Sequence, residues 1–173
     1  MDERIRRFRQ KLAASPKRLN TCLAEADVQA FERRHGIVLP ESYRAFLLHF
    51  GNGGEGPPCF GIPKLGEPAD DMTPEEERVW TELRLVGRPF PFTKPWVWED
   101  GEASGEGTRE QIDHGSLFIG NNGCGQYWLL IVTGPERGKV WPFAGVGIVP
   151  TVPGRDFLRR LPPWKAFGRG ERQ

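Results

Sequence analysis

The chain has 173 residues, of which 38% are hydrophobic and 27% charged, and its formal net charge is +1. This length fits one domain that buries about two-thirds of its unfolded surface, and the composition excludes both global disorder and a generally cationic nucleic-acid binder. Because no apolar run has signal-peptide or membrane-spanning length and the cysteines are three and widely spaced, we expect a soluble, cytoplasmic protein with reduced thiols.

The first twenty residues predict a basic helix followed by a linker. A helix over residues 3 to about 14 would place arginines around an apolar side formed by Ile5, Phe8 and Leu12. Ser15-Pro16 would end it. We interpret the arginines as a solvated helix face, because no aromatic residues alternate with them to stack on bases. Direct nucleic-acid binding is therefore not expected.

A pair of helices follows between residues 26 and 54. The first should end near His35, before Gly36, which is a favoured residue at a helix end. The second begins after Pro40 and shows the strongest helical period in the chain, with apolar residues at i, i+3, i+4 and i+7: Tyr43, Phe46, Leu47 and Phe50. Asn52-Gly53-Gly54 would end it, because these residues tolerate a positive φ.

The middle of the chain mixes loops with short elements. A short strand is predicted near Phe60 and Ile62, and Thr73-Pro74-Glu75-Glu76 is typical of a helix start, with the helix running to about residue 83. Prolines exclude a central strand before Trp96-Val97-Trp98. Residues 99–113, rich in glycine and glutamate, predict a loop.

The last third of the chain reads as an antiparallel meander. Apolar runs at 117–119, 127–132 and 140–143 are separated by glycine-containing turns, one of them predicted at 120–123. The continuous run at 127–132 predicts a central strand covered on both faces. A short helix is expected over 155–161, followed by a tail over 162–173.

Two blocks of motifs resemble the SUKH superfamily, the group of Smi1/Knr4-like domains. The first is the helix pair with its asparagine and glycines, and the second is residues 115–143, which are similar to the central hairpin of that family. The matching positions, most of which we interpret as fold-forming, are Leu39, Pro40, Tyr43, Phe46, Asn52, Gly53, Gly54, Gly123 and Gly125. The resemblance implies, and the residue patterns separately support, an α+β domain over residues 21–161 with N-terminal helices on a twisted antiparallel sheet. The short C-terminal helix at 155–161 departs from the family, whose last helix is often longer.

The resemblance also implies a function. SUKH members are typically non-enzymatic, and many bacterial ones neutralise a cognate protein toxin, often a nuclease or deaminase, by occluding its active site. We expect no cofactor in this chain. A basic toxin would suit the acidic segment 67–82. The alternative is a regulatory or scaffolding module, as implied by a yeast relative that regulates cell-wall synthesis.

Loops and strand ends provide the expected contact surface for such a partner. The residues we predict to form it around one cleft are Asn52, Glu55, Trp96, Trp98, Glu99, Asp100, Asn121 and Asn122. Catalysis by Cys124 with His114 and Asp113 is disfavoured, since a glycine-flanked turn cysteine is more often a packed residue. A metal site of Cys59, Cys124 and His114 is disfavoured too, because the ligands lack the close spacing of zinc sites.

Overall fold

The computed structural model describes residues 3–13, 18–56, 60–68, 85–99, 102–104, 109–144 and 147–149. Three α-helices lie within the first fifty residues: α1 at Glu3–Ala13, α2 at Glu25–His35 and α3 at Glu41–His49. They confirm the predicted helices to within one or two residues. The end of α2 follows the sequence signal, because Gly36 adopts a left-handed φ of 63° and the Ile37 N–H donates to the Glu32 carbonyl at 3.0 Å.

The described strands form one antiparallel sheet. They are β1 at Trp96–Glu99, β2 at Glu102–Ser104, β3 at Ser116–Gly123, β4 at Gln126–Ile131, β5 at Val140–Ala144 and β6 at Gly147–Ile148. Their spatial order is β2-β1-β6-β5-β4-β3, so the predicted meander is confirmed over β3, β4 and β5, and β6 extends it to β1.

Three local predictions are wrong. Residues 99–113 are not a loop throughout, because β2 pairs with β1 and a 3-10 helix occupies Arg109–Asp113. Residues 120–123 continue β3 instead of turning, and the turn lies at Cys124 and Gly125, whose φ angles are 53° and 69°. Around Phe60, a single bridge between Gly54 and Ile62 replaces the predicted strand.

The sheet is buried on both faces. One face packs against the helices through Phe8, Val28, Tyr43, Phe46 and Leu47. The other packs against the segment before β1 and the 3-10 helix through Phe90, Phe92 and Ile112. Along β4, Trp128 and Leu130 belong to the first cluster, and Leu129 and Ile131 belong to the second. The prediction of a central strand covered on both sides is therefore confirmed.

These layers confirm the predicted α+β domain, with helices on one face of an antiparallel sheet. The predicted helices at 73–83 and 155–161 and the tail at 162–173 lie outside the described residues. The boundaries we predict at residues 20 and 161 stay predictions. Of the helices that the structure describes, none combines the length and apolarity needed to cross a membrane.

Candidate functional site

Asn52 ties together three segments that are distant in sequence. Its Oδ1 accepts a hydrogen bond from the Leu65 N–H at 2.8 Å, and its N–H donates to the Thr21 carbonyl at 3.2 Å. Its own carbonyl accepts from Nδ2 of Asn20 at 2.9 Å. The groups of this half-buried residue are thus engaged in holding the chain segments around it. Asn52 therefore shapes the surface around it, and its role as a contact residue stays a prediction.

The two glycines after Asn52 are required because main-chain atoms lie directly against them. A Cβ on Gly53 would stand 2.5 Å from the Ile62 oxygen, and one on Gly54 would stand 2.8 Å from the Arg18 oxygen. Their φ angles of 72° and 121° disfavour any other residue as well. The Asn-Gly-Gly motif therefore builds a layer of closely packed backbone in which residues 18–20 and 60–64 lie on either side of residues 53–55.

This layer encloses a surface cleft of about 560 Å³, which we call the Phe60 cleft. Its lining residues are Arg18, Leu19, Asn20, Gly54, Glu55, Gly56, Phe60, Gly61, Ile62, Pro63, Lys64 and Glu67. Glu55, a predicted contact residue, is exposed here, and its Oε2 accepts a hydrogen bond from the Arg18 N–H at 3.4 Å. The Lys64 Nζ lies 3.4 Å from Oε1 of Glu67. The lining of the cleft therefore combines these charged side chains with the glycines Gly54, Gly56 and Gly61.

Phe60 is the most distinctive side chain of the cleft, because 65% of its surface is exposed. Its main chain is fixed to β3: the Phe60 N–H donates to the Asn121 carbonyl at 3.0 Å, and the Asn121 N–H donates to the Gly61 carbonyl at 3.4 Å. Its ring lies against Gly123, where an added Cβ would come within 2.4 Å of Cε2. An aromatic ring is thus held in place and presented to solvent, a feature that the sequence prediction missed.

Two of the predicted contact residues are buried. Trp96 is 1% exposed and packs near Phe92, with ring centroids 6.1 Å apart. Asn121 is 3% exposed, and its Oδ1 accepts the Gly123 N–H at 2.7 Å. Neither side chain presents a surface to a partner, so the predicted contact surface must be corrected by leaving both out.

Of the remaining predicted contact residues, Trp98, Glu99 and Asn122 are not among the described residues that line the Phe60 cleft. Trp98 and Glu99 belong to β1, where they pair with Ala103 and Glu102 of β2. Asp100 lies outside the described residues. Asn122 is exposed and lines a second, smaller groove of about 150 Å³ together with Val97, Gln126, Tyr127, Trp128, Pro142, Phe143, Ala144, Gly147 and Val149, which we call the sheet groove. Glu55 and Asn122 therefore belong to two surfaces instead of the single predicted cleft.

The candidate catalytic groups are separated by the length of a strand. His114 precedes β3 and Cys124 follows it, so the eight residues of Ser116–Gly123 place them roughly 25 Å apart. Burial and the neighbouring Arg88 lower the pKa of His114. A nucleophile and its base must lie within hydrogen-bond reach, and this pair does not. Within the described ranges, no three His, Cys, Asp or Glu side chains are grouped to hold a metal ion, and Cys59 lies outside them.

The sequence was compared with models of known protein families, and one of them matches. The sequence model of the SMI1 / KNR4 family (SUKH-1) matches residues 22–160, which is more than half of the chain. The chain belongs to this family. The resemblance read from the motifs is thereby confirmed. The SUKH-1 match includes the helix pair, the sheet and the part of the Phe60 cleft formed by residues 54–67, whereas α1 and the cleft residues Arg18, Leu19 and Asn20 precede it. Comparisons with curated proteins and with solved structures gave no match.

Proposed function

We propose that this SUKH-1 chain is a non-enzymatic, cytoplasmic immunity protein that binds and neutralises a cognate bacterial toxin. The observation that carries the proposal is the fixed, exposed ring of Phe60 beside a cleft, in a family whose bacterial members the resemblance links to toxin immunity. The partner would be a protein toxin, in keeping with the nuclease and deaminase toxins that the resemblance implies.

The contacts of Phe60 suit it to anchor a protein interface. Aromatic residues that fill a partner's pocket carry much of the binding free energy in many interfaces. Because the Phe60 main chain is hydrogen-bonded to Asn121 and its ring rests on Gly123, binding would order little that is not already ordered. Such preorganisation strengthens binding by reducing its entropic cost. Glu55 and Lys64 supply the polar rim that accompanies an anchor of this kind.

The arrangement of the reactive side chains supports a role in binding instead of catalysis. Cys124 is exposed at the β3–β4 turn, far from His114 at the other end of β3. The thiol therefore lacks that imidazole as a general base, and the cleft does not include it.

A second candidate function is a regulatory or scaffolding module linked to cell-wall synthesis or signalling. The observation that favours it is the presence of two separate surfaces, the Phe60 cleft and the sheet groove, which could hold two partners at once. A toxin inhibitor needs one such surface, whereas a scaffold needs at least two.

The test is protection of a host cell. A toxin captured with this chain from the native organism's lysate is expressed with the wild-type chain, with Phe60→Ala or with the sheet-groove variant Asn122→Ala, and survival is counted. We expect protection by wild type and Asn122→Ala and its loss with Phe60→Ala, together with a 1:1 complex in light scattering. Failure of the wild type to protect, with several partners co-purifying, would support the scaffolding module instead.

A further inference from the structure

The exposed ring of Phe60 has a chemical preference that its shape alone does not reveal. The ring atoms closest to a Cβ built on Gly123 are Cε2, Cδ2 and Cζ, at 2.4, 3.2 and 3.3 Å, so one edge of the ring rests on the glycine. With 65% of the residue exposed, ring surface remains open to solvent. The face of an aromatic ring carries negative potential, so it attracts a cation and repels an anion.

The carboxylate of Glu55 in the same cleft can accept further hydrogen bonds. One of its oxygens accepts the Arg18 N–H at the long distance of 3.4 Å. A carboxylate has about four acceptor positions, so most of its capacity is left for an incoming donor. Glu67, the other carboxylate of the cleft, is engaged by Lys64 at 3.4 Å. Glu55 is therefore the better placed of the two to meet a partner's cation.

The net charge of the cleft does not select the sign of the partner group. The lining includes two carboxylates, Glu55 and Glu67, and two cations, Arg18 and Lys64. Because these formal charges balance, the sign of a bound group depends on which individual residue that group contacts. A side chain that reaches the Phe60 ring touches a surface that favours cations.

We propose that the Phe60 cleft binds an arginine or lysine side chain presented by a loop of a protein partner, with the cation against Phe60 and paired with Glu55. Arginine fits best, because its planar guanidinium can stack on a ring while its N–H groups donate to a carboxylate. This inference rests on the proposed function only in taking the partner to be the toxin. It narrows that partner to a protein with a basic contact loop.

The experiment uses short peptides, so that it does not depend on the toxin. The ¹⁵N-labelled full chain is titrated with acetyl-Gly-Arg-Gly-amide, and amide shifts are followed by NMR. Matched peptides carry norleucine or glutamate in place of arginine. We expect the arginine peptide to shift the amides of Glu55, Phe60 and Gly61, and the other two to bind more weakly.

Two conservative variants assign the contacts. Glu55→Gln keeps an oxygen for the Arg18 N–H, and Phe60→Leu keeps an apolar side chain beside Gly123, so both should fold. Each variant should weaken binding of the arginine peptide by about two- to fivefold, the range measured for exposed cation–π contacts and ion pairs. Neither should change the binding of the norleucine peptide by as much.

Three results would overturn the proposal. Equal binding of the norleucine peptide would make Phe60 an apolar anchor only. Tighter binding of the glutamate peptide would make the cleft an anion site formed by Arg18 and Lys64. Absence of shifts with the arginine peptide would show that the cleft does not take a cation. These results are independent of cell protection, so the toxin-immunity proposal and the cation proposal can fail separately.

Discussion

The helix pair α2–α3 and the Phe60 cleft both join segments that are distant in sequence, but they do so with different atoms. In the helix pair, large side chains such as Val28, Phe46 and Leu47 fill the space between the helices and the sheet. In the cleft, main-chain atoms of residues 18–20, 53–55 and 60–64 meet directly, with glycines at the contacts. Removing side-chain atoms should therefore destabilise the helix pair most, whereas adding atoms should destabilise the Phe60 cleft most.

The largest loss of stability should follow the removal of the Phe46 ring. This side chain is fully buried. Its ring is stacked with that of Tyr43, with centroids 6.3 Å apart, and edge-on to that of Phe8, with centroids 6.0 Å apart. Phe46→Ala removes most of a core aromatic ring and leaves a cavity, so the free energy of unfolding should fall by about 3–5 kcal/mol. Urea denaturation followed by circular dichroism measures it. A loss below about 1 kcal/mol would show that the helix pair does not depend on this packing.

The next largest loss of stability should follow the addition of one methyl group at Gly53. A Cβ there would lie 2.5 Å from the Ile62 oxygen and 2.7 Å from the Pro63 oxygen, and φ is 72°. We expect Gly53→Ala to lower the free energy of unfolding by about 2–4 kcal/mol, through strain and displacement of the neighbouring segment.

Gly125→Ala is the matched control for Gly53→Ala. Gly125 has a similar φ of 69°, but nothing lies within 4 Å of its Cβ position. It should cost only the left-handed strain, about 1 kcal/mol. If the same denaturation gives equal losses of unfolding free energy for the two variants, the close backbone contact at Gly53 does not contribute to stability.

A smaller effect is expected from the polar contacts between α2 and α3. Arg44 forms an ion pair with Glu25, and its Nε lies 3.4 Å from Oε1 of Glu32, which also accepts the Leu39 N–H. Because these groups are partly exposed, Arg44→Met should lower the melting temperature by only about 1–3 °C at neutral pH. Lys64→Met, which removes an exposed pair with Glu67, is the control and should change it less.

The same variant should show a dependence on pH. The hydrogen bond from Arg44, followed by that from Gln29, lowers the pKa of Glu25 below its ordinary value. A carboxyl group with a lowered pKa in the folded state contributes stability above its unfolded pKa and loses it as pH falls through the folded one. The difference in melting temperature between wild type and Arg44→Met should therefore shrink in acid. A difference that stays constant down to pH 3 would contradict this ion pair.

The smallest effect on stability is expected at Phe60. The side chain is largely exposed, so Phe60→Ala should change the free energy of unfolding by less than about 0.5 kcal/mol. The two positions can be compared directly, because the same substitution at the buried Phe46 should cost several kcal/mol. A large loss at Phe60 would mean that its contact with Gly123 is part of the core, and the ring would then be a poor candidate for an interface.

Periodicity predicted the regions that are held together by side chains. The spacing of Tyr43, Phe46 and Leu47 identified α3, and the apolar run at 127–132 identified the central strand. These patterns are local, so one sequence is enough to read them.

The dipeptide Asp100-Gly101 is a favoured two-residue hairpin sequence, and it could have predicted the pairing of Glu99 with Glu102.

The regions that are held together by backbone could not be predicted in the same way. Asn121 and Gly123 have the composition of a turn, but irregular pairing with β4 lets them continue the strand. Alternation along β1 does not show which face is covered, so the sequence predicts a contact surface that includes Trp96, whereas the structure buries this side chain in the core. The position of the Phe60 ring depends on its contacts with Asn121 and Gly123, which lie 61 and 63 residues further along the chain, so no local pattern predicts it.

The most direct test of the account is isothermal titration calorimetry of the purified toxin into wild type and Phe60→Ala, with the melting temperature of each variant measured alongside. We predict that Phe60→Ala weakens binding at least tenfold, as expected for an interface anchor, while its melting temperature stays within about 2 °C of wild type. Unchanged affinity in a folded variant would contradict the account, because the toxin would then bind a surface that does not include the Phe60 cleft.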